Sequence, residues 1–119
     1  MVVVRQTLFN WKSDGDISQP DRKKAVMTSL EQLLSNSPQL KDAEIVEHRA
    51  EALPARLKAG YLNALTFYFD RLQDEIDFND DPHHISFRDV FQKHRADGTN
   101  IIVYETAKLA LNPEPDFGS

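Results

Sequence analysis

Residues 55–78 read ARLKAGYLNALTFYFDRLQDEIDF, and this stretch carries the strongest hydrophobic pattern in the chain. Its apolar side chains recur at steps of three and four, which is the spacing of one face of an α-helix. The pattern predicts an amphipathic helix of about six turns, since 3.6 residues make one turn. The main apolar row consists of Leu57, Tyr61, Leu65, Tyr68, Leu72 and Ile76.

A second apolar row, through Leu62 and Phe69, runs beside the first on this predicted helix. Two adjacent rows are wide for a helix with only one covered side, so we expect one row to face a partner or the middle of the fold. Phe67 lies off the main row and is therefore expected to be an exposed contact.

Two β-branched runs lie near the ends of the chain, at residues 2–9 (VVVRQTLF) and 100–105 (NIIVYE). Such composition favours strands, and the two runs are expected to pair with each other. Trp11 follows the first run and is expected to fold back onto the core, as large aromatic side chains usually do.

Capping signals divide the rest of the chain into helices. Ser18 with Pro20 in the first turn predicts a helix that ends near residue 36. Residues 38–53 favour a second helix, although a strand around Ile45 stays open. The loop at 78–84 is followed by a short helix predicted to begin at Ser86.

The sequence therefore predicts an α+β fold that is predominantly helical, with four to five helices and a small two-stranded element joining the N- and C-terminal regions. A single globular domain is expected over residues 1–111, in line with the length of 119 residues. The Pro-rich residues 112–119 are expected to form a loose tail.

Composition excludes several classes of chemistry. The chain contains no cysteine, so thiol catalysis, zinc–thiolate sites and disulfides are excluded. No signal peptide and no apolar run long enough for a membrane span is evident, which favours a cytoplasmic protein. A net charge of −5 and only one short basic run, at 22–24, argue against direct nucleic-acid binding.

The excess negative charge is concentrated between residues 61 and 84, which hold six acidic residues and one arginine. A surface of this kind attracts a protein partner of complementary charge, such as a nucleic-acid-binding protein. The predicted partner-binding residues combine the apolar row with this acidic segment: Tyr61, Phe67, Tyr68, Asp70, Asp74, Asp77, Asp80 and Asp81.

The pair His83–His84 lies beside several aspartates but matches no spacing typical of metal ligands. No calcium loop and no glycine-rich phosphate cradle is present. We therefore expect no metal and no cofactor.

The segment Arg88-Asp-Val-Phe-Gln-Lys-His94 resembles the signature of the HEPN superfamily, an Arg followed by a polar residue and, after a short spacer, a His. Members of that superfamily are small helical bundles, often metal-independent ribonucleases that work as dimers. The resemblance implies that Arg88 and His94 would face an RNA phosphate, with the His as general acid or base.

The function that the sequence favours is a non-enzymatic protein–protein interaction domain: a small acidic regulator, adaptor or inhibitor of a larger macromolecular machine that also self-associates, as a homodimer. The alternative is the metal-independent ribonuclease implied by Arg88 and His94.

Overall fold

The computed structural model describes residues 2–47 and 62–105. Within these ranges the chain forms four strands and three helices. In chain order these are β1 (Val3–Phe9), α1 (Gln19–Asn36), β2 (Asp42–Glu47), β3 (Asn63–Phe69), α2 (Leu72–Phe78), α3 (Pro82–His94) and β4 (Asn100–Glu105).

The four strands form one antiparallel sheet in the order β2-β3-β1-β4. The two central strands, β1 and β3, pair from Val3 opposite Phe69 to Phe9 opposite Asn63. The expected pairing of the two β-branched runs is present as β1 with β4. The prediction of a predominantly helical fold with a two-stranded element is nevertheless wrong, because β2 and β3 complete a four-stranded sheet.

The long helix predicted for 55–78 is not present, because its second half is a strand, a turn and a short helix. In β3 the side chains of Leu65, Phe67 and Phe69 alternate with those of Thr66 and Tyr68, which is the period of two of a strand. The helix-like spacing of Leu65, Tyr68 and Leu72 arises because this apolar row begins in β3 and continues into α2. Residues 55–61 lie outside the described residues.

Residues 42–47 form β2, so the helix favoured for 38–53 is wrong over this range and the strand around Ile45 is present. Ala43 and Ile45 are half-buried and pack against the core, while their neighbours Glu44 and Val46 are exposed. This alternation suits an edge strand that is covered on one face. Residues 48–53 lie outside the described residues.

Helix α1 begins where its capping signal predicts. The Ser18 hydroxyl accepts a hydrogen bond from the Asp21 amide, and Pro20 lies in the first turn. Its apolar face buries Val26, Leu30 and Leu33 against the sheet and α3. Trp11 is buried, as expected, and packs edge-to-face on Phe9.

Helix α3 begins one turn earlier than its predicted start at Ser86. Asp81 is the N-cap, and its Oδ1 accepts from the His83 amide at 2.8 Å. Its other oxygen accepts from the buried Ser37 hydroxyl at 2.9 Å. Asp81 thus links α3 to the end of α1, and Pro82 occupies the first helical position.

The three described helices cover one face of the sheet, and the core between them is aromatic. Phe67 packs edge-to-face against Phe69, Phe78 and Phe87. Phe9 contacts Phe91 in the same way at the other end of the core. The predicted domain limit at residue 111 and the predicted tail at 112–119 fall outside the described residues.

Candidate functional site

Strand β4 is the most exposed apolar element among the described residues. Four consecutive side chains are 42–51% exposed: Ile101, Ile102, Val103 and Tyr104. Among the described strands, β4 lies at the end of the sheet, so none of them pairs with its outer backbone edge. An apolar edge strand of this kind can pair with another chain.

The two faces of β4 point in different directions. Ile101 and Val103 pair with Thr7 and Arg5, on the face that the helices cover. Ile102 and Tyr104 pair with Gln6 and Val4, and we call their side the open face because no described helix packs on it. Apolar side chains are therefore exposed on both sides of β4.

Tyr68, one of the predicted partner-binding residues, lies on the open face beside β2. Its hydroxyl donates a hydrogen bond to Glu44 Oε1 at 2.6 Å. That bond, with desolvation next, raises the pKa of Tyr68 to about 12. Tyr68 is therefore a neutral hydrogen-bonding aromatic side chain at physiological pH.

The predicted acidic surface is partly satisfied within the chain. Asp70 pairs with Lys41 at 3.0 Å and Asp74 with Arg71 at 3.1 Å, both on the surface. Exposed pairs of this kind contribute little to stability. Asp77 and Asp80 are also exposed, and their predicted contact with a partner stays a prediction.

Two of the predicted partner-binding residues, Phe67 and Asp81, are placed differently. Phe67 is only 2% exposed, so the expectation that it is an exposed contact is wrong: in a strand, its odd-numbered position faces the core. Asp81 is buried because it caps α3. Tyr61 lies outside the described residues.

Arg88 and His94 do not form a common site. Arg88 faces the sheet side of α3, whereas His94 is buried against α1, 3.3 Å from Arg22 Nη1. Desolvation first and the Arg22 charge second lower the pKa of His94. The helical bundle implied by the HEPN resemblance is also wrong, since the fold is built on a four-stranded sheet.

The two adjacent histidines have separate environments. His83 is exposed, whereas His84 stacks on Phe78 and bonds through Nδ1 to the Phe78 carbonyl at 3.1 Å. Within residues 2–47 and 62–105, no group of three or more His, Asp or Glu side chains could hold a metal ion.

A cavity of about 80 Å³ lies between α3 and the sheet, and we call it the α3 cavity. It opens to solvent beside β4, where Thr99 and Ile101 form part of its wall. Its apolar wall includes Phe67, Phe87 and Phe91.

Three arginines contribute to the wall of the α3 cavity: Arg5 from β1, and Arg88 and Arg95 from α3 and its C-cap. Arg5 donates through Nη1 to Asn79 Oδ1 at 2.6 Å and lies 3.9 Å from Glu75 Oε1. Its Nε is buried without a hydrogen-bond partner. Burial lowers the pKa of Arg5, Glu75 opposes that effect, and Arg88 adds to it.

The α3 cavity contains a neutral histidine. Burial, followed by the charges of Arg5 and Arg88, lowers the pKa of His84 to about 4. The His84 ring therefore adds no positive charge above pH 5, and the positive charge of the cavity comes from its arginines.

Sequence reasoning missed the α3 cavity, although two signals for it exist. Arg5 lies two residues from Val3 and four from Phe9, so a strand places its charged side chain on the buried face. His84, Phe87, Arg88, Phe91 and Arg95 recur at steps of three and four, which puts polar and aromatic side chains on one side of α3.

No family model matches this chain. No curated protein matches it either.

Solved structures share its architecture. The Arabidopsis thaliana protein At3g17210 is similar with a TM-score of 0.74 and 16% identity, over 92% of this chain and 99% of that one. A dimeric protein of unknown function from Thermobifida fusca, described as ferredoxin-like, matches with a TM-score of 0.67 and 22% identity, over 89% and 92%. The fold is ferredoxin-like.

An enzyme also has this fold: the hydroxynitrile lyase from Passiflora edulis matches with a TM-score of 0.70 and 16% identity, over 92% of this chain and 96% of that one. Similar structures from Bacteroides fragilis and Jannaschia are dimeric proteins of unknown function, and one from Mesorhizobium loti is a DABB family protein. Likeness at these identities shows the ferredoxin-like fold alone.

None of the helices within the described residues is long and apolar enough to cross a membrane.

Proposed function

We propose that this ferredoxin-like chain is a homodimeric interaction domain in which a second copy covers β4. The observation that carries the proposal is the run of four exposed apolar side chains on a sheet-edge strand. Several proteins of similar structure are dimeric, which supports a second copy as the occupant.

Burial of the β4 side chains contributes substantially to the free energy of dimer formation. Covering the exposed half of one large apolar side chain contributes about 1 kcal/mol, so β4 of two copies contributes roughly 8 kcal/mol. Association costs about 4–15 kcal/mol in lost translational and rotational freedom. Hydrogen bonds along the free edge of β4 and contacts on the open face must therefore add to the apolar term.

Symmetry favours a second copy over an unrelated partner. A two-fold dimer buries the same surface on both chains, so one exposed strand per chain is enough to form a closed assembly. The predicted role as a regulator or inhibitor of a larger machine has no support in the structure and is not part of this proposal.

The solution mass tests the proposal. We expect light scattering to give twice the chain mass of 13.6 kDa for the wild type. Ile102→Lys places a charge in the covered surface and is expected to give single chains. Ile76 on α2 is 48% exposed against 43% for Ile102, so Ile76→Lys is the matched control and should keep the wild-type mass.

A single-chain mass for the wild type would contradict the proposal. Dissociation by Ile76→Lys with no effect of Ile102→Lys would also contradict it, because the contact surface would then lie on the helices.

A further inference from the structure

The geometry points to a second activity: the α3 cavity binds a small organic monocarboxylate, held by arginine guanidinium groups at one side and by aromatic side chains at the other. The described cavity wall belongs to a single chain and shares Ile101 with the β4 surface of the proposed dimer, so ligand binding and solution mass are measured as separate readouts.

The charge of the cavity wall is the first argument. Arg5, Arg88 and Arg95 line it, whereas no Asp or Glu among the described residues does. This is unusual in a chain with 19 acidic and 14 basic residues. Glu75 offsets part of the charge of Arg5, and the guanidinium groups in this partly enclosed space still repel one another, so an anion between them lowers that repulsion.

The unsatisfied donor of Arg5 is the second argument. Its Nε is buried and has no acceptor, although buried polar groups are nearly always hydrogen-bonded. The nearest carboxylate oxygen, Glu75 Oε1, is 3.9 Å from Nη1 and is too distant for a hydrogen bond. The Arg5 guanidinium group is therefore only partly satisfied by the protein, and a guanidinium group matches a ligand carboxylate in planar geometry.

The third argument concerns the apolar side of the cavity. Phe67, Phe87 and Phe91 form a wall that favours a hydrocarbon group over a fully polar ion. A volume of about 80 Å³ is smaller than the cavity of about 150 Å³ that holds benzene in another protein. The ligand class is therefore a short, branched or unbranched aliphatic monocarboxylate rather than a large aromatic acid.

The test uses propanoate as the probe and the neutral propanamide as its match in shape. Titration of the full chain, followed through the Nε–H resonances of arginine, is expected to shift those of Arg5 and Arg88 saturably, with a dissociation constant near 1 mM. The amide should bind at least tenfold more weakly, because it carries no charge.

Two variants locate the site. Arg88→Gln removes an exposed charge from the cavity wall and is expected to weaken the binding of propanoate about tenfold, or about 1.4 kcal/mol. Arg71→Gln removes an exposed arginine that directly precedes α2, outside the cavity wall, and it should leave the affinity unchanged.

The pH dependence adds an independent readout. Because guanidinium groups stay charged, the affinity should be constant between about pH 6 and 8. The inference is overturned if no saturable shift occurs up to about 10 mM probe. It is equally overturned if the amide binds as tightly as the acid, or if Arg71→Gln weakens binding as much as Arg88→Gln.

Discussion

The side chain of Phe67 contacts three other phenylalanines and the ring of His84. Replacing it by alanine leaves a large void in the centre of the core. We expect Phe67→Ala to lower the free energy of unfolding by about 3–5 kcal/mol in urea denaturation.

Tyr68 is the matched control for this prediction, because it is adjacent in sequence but lies half-buried on the open face. Tyr68→Ala removes one surface hydrogen bond and a half-buried ring, so a loss of about 1 kcal/mol is expected. Equal losses for the two variants would mean that β3 does not alternate as described.

His84 gives stability a defined pH dependence. Its pKa in the folded protein is about 4, below the ordinary value of 6.5 for an unfolded chain. The unfolded chain therefore binds the proton first as pH falls. The contribution of His84 is fully present above pH 6.5 and is lost as pH falls from 6.5 towards 4, by at most about 3 kcal/mol.

Replacing His84 by glutamine should reduce this dependence between pH 6.5 and 4 and leave the part due to His94, whose pKa is also lowered; it is measured as the urea midpoint at several pH values. His83→Gln is the control: His83 is exposed and adjacent, so this variant should keep the wild-type slope. A wild-type slope that survives His84→Gln unchanged would show that another group carries it.

At the level of elements, two substitutions test whether Asp81 or Ser86 is the N-cap of α3. Asp81 accepts from the His83 amide and from the buried Ser37 hydroxyl, so Asp81→Ala leaves both donors without their acceptor. We expect a loss of about 2 kcal/mol in thermal or urea unfolding. Ser86 lies exposed inside α3, and Ser86→Ala should change stability by less than about 0.5 kcal/mol.

The reverse order of these two effects would place the cap at Ser86, where the sequence predicted it. The sequence contains two competing signals in this region: Asp81-Pro82 and the capping-box spacing of Ser86 and Asp89. The tertiary contact of Asp81 with Ser37, 44 residues earlier in the chain, favours the first, and local spacing does not contain that contact.

Local signals predicted the elements whose cause is local. Ser18 and Pro20 were sufficient for the start of α1, and the β-branched run of β1 was sufficient for a strand. β3 was missed because the spacing of Leu65, Tyr68 and Leu72 mimics a helix when it crosses a strand–helix junction. Pairing with β1 makes this segment a strand rather than a helix, and the hydrophobic pattern of the segment alone does not reveal that pairing.

The candidate site was predictable only in part. The period of two in β1 assigns Arg5 to the buried face, and the period of α3 aligns His84 with Arg88. The cavity itself forms because α3 packs against the sheet. This packing brings Arg5 close to His84 and Arg88, which lie 79 or more residues later in the chain. The exposure of β4 depends likewise on its position at the end of the sheet.

At the scale of the whole molecule, the central claim is that a second copy covers β4. The chain has no cysteine, so single cysteines introduced for spin labels react without interference. Asn100→Cys places a label at the start of β4 on the open face, and Thr28→Cys places one on the exposed side of α1.

Dipolar electron resonance between two copies then measures the distance between identical labels. We predict a dipolar coupling for both variants, a shorter distance for Asn100→Cys than for Thr28→Cys, and loss of both couplings on dilution with excess unlabelled chain. No coupling at either position, or a shorter distance between labels on α1, would contradict the account.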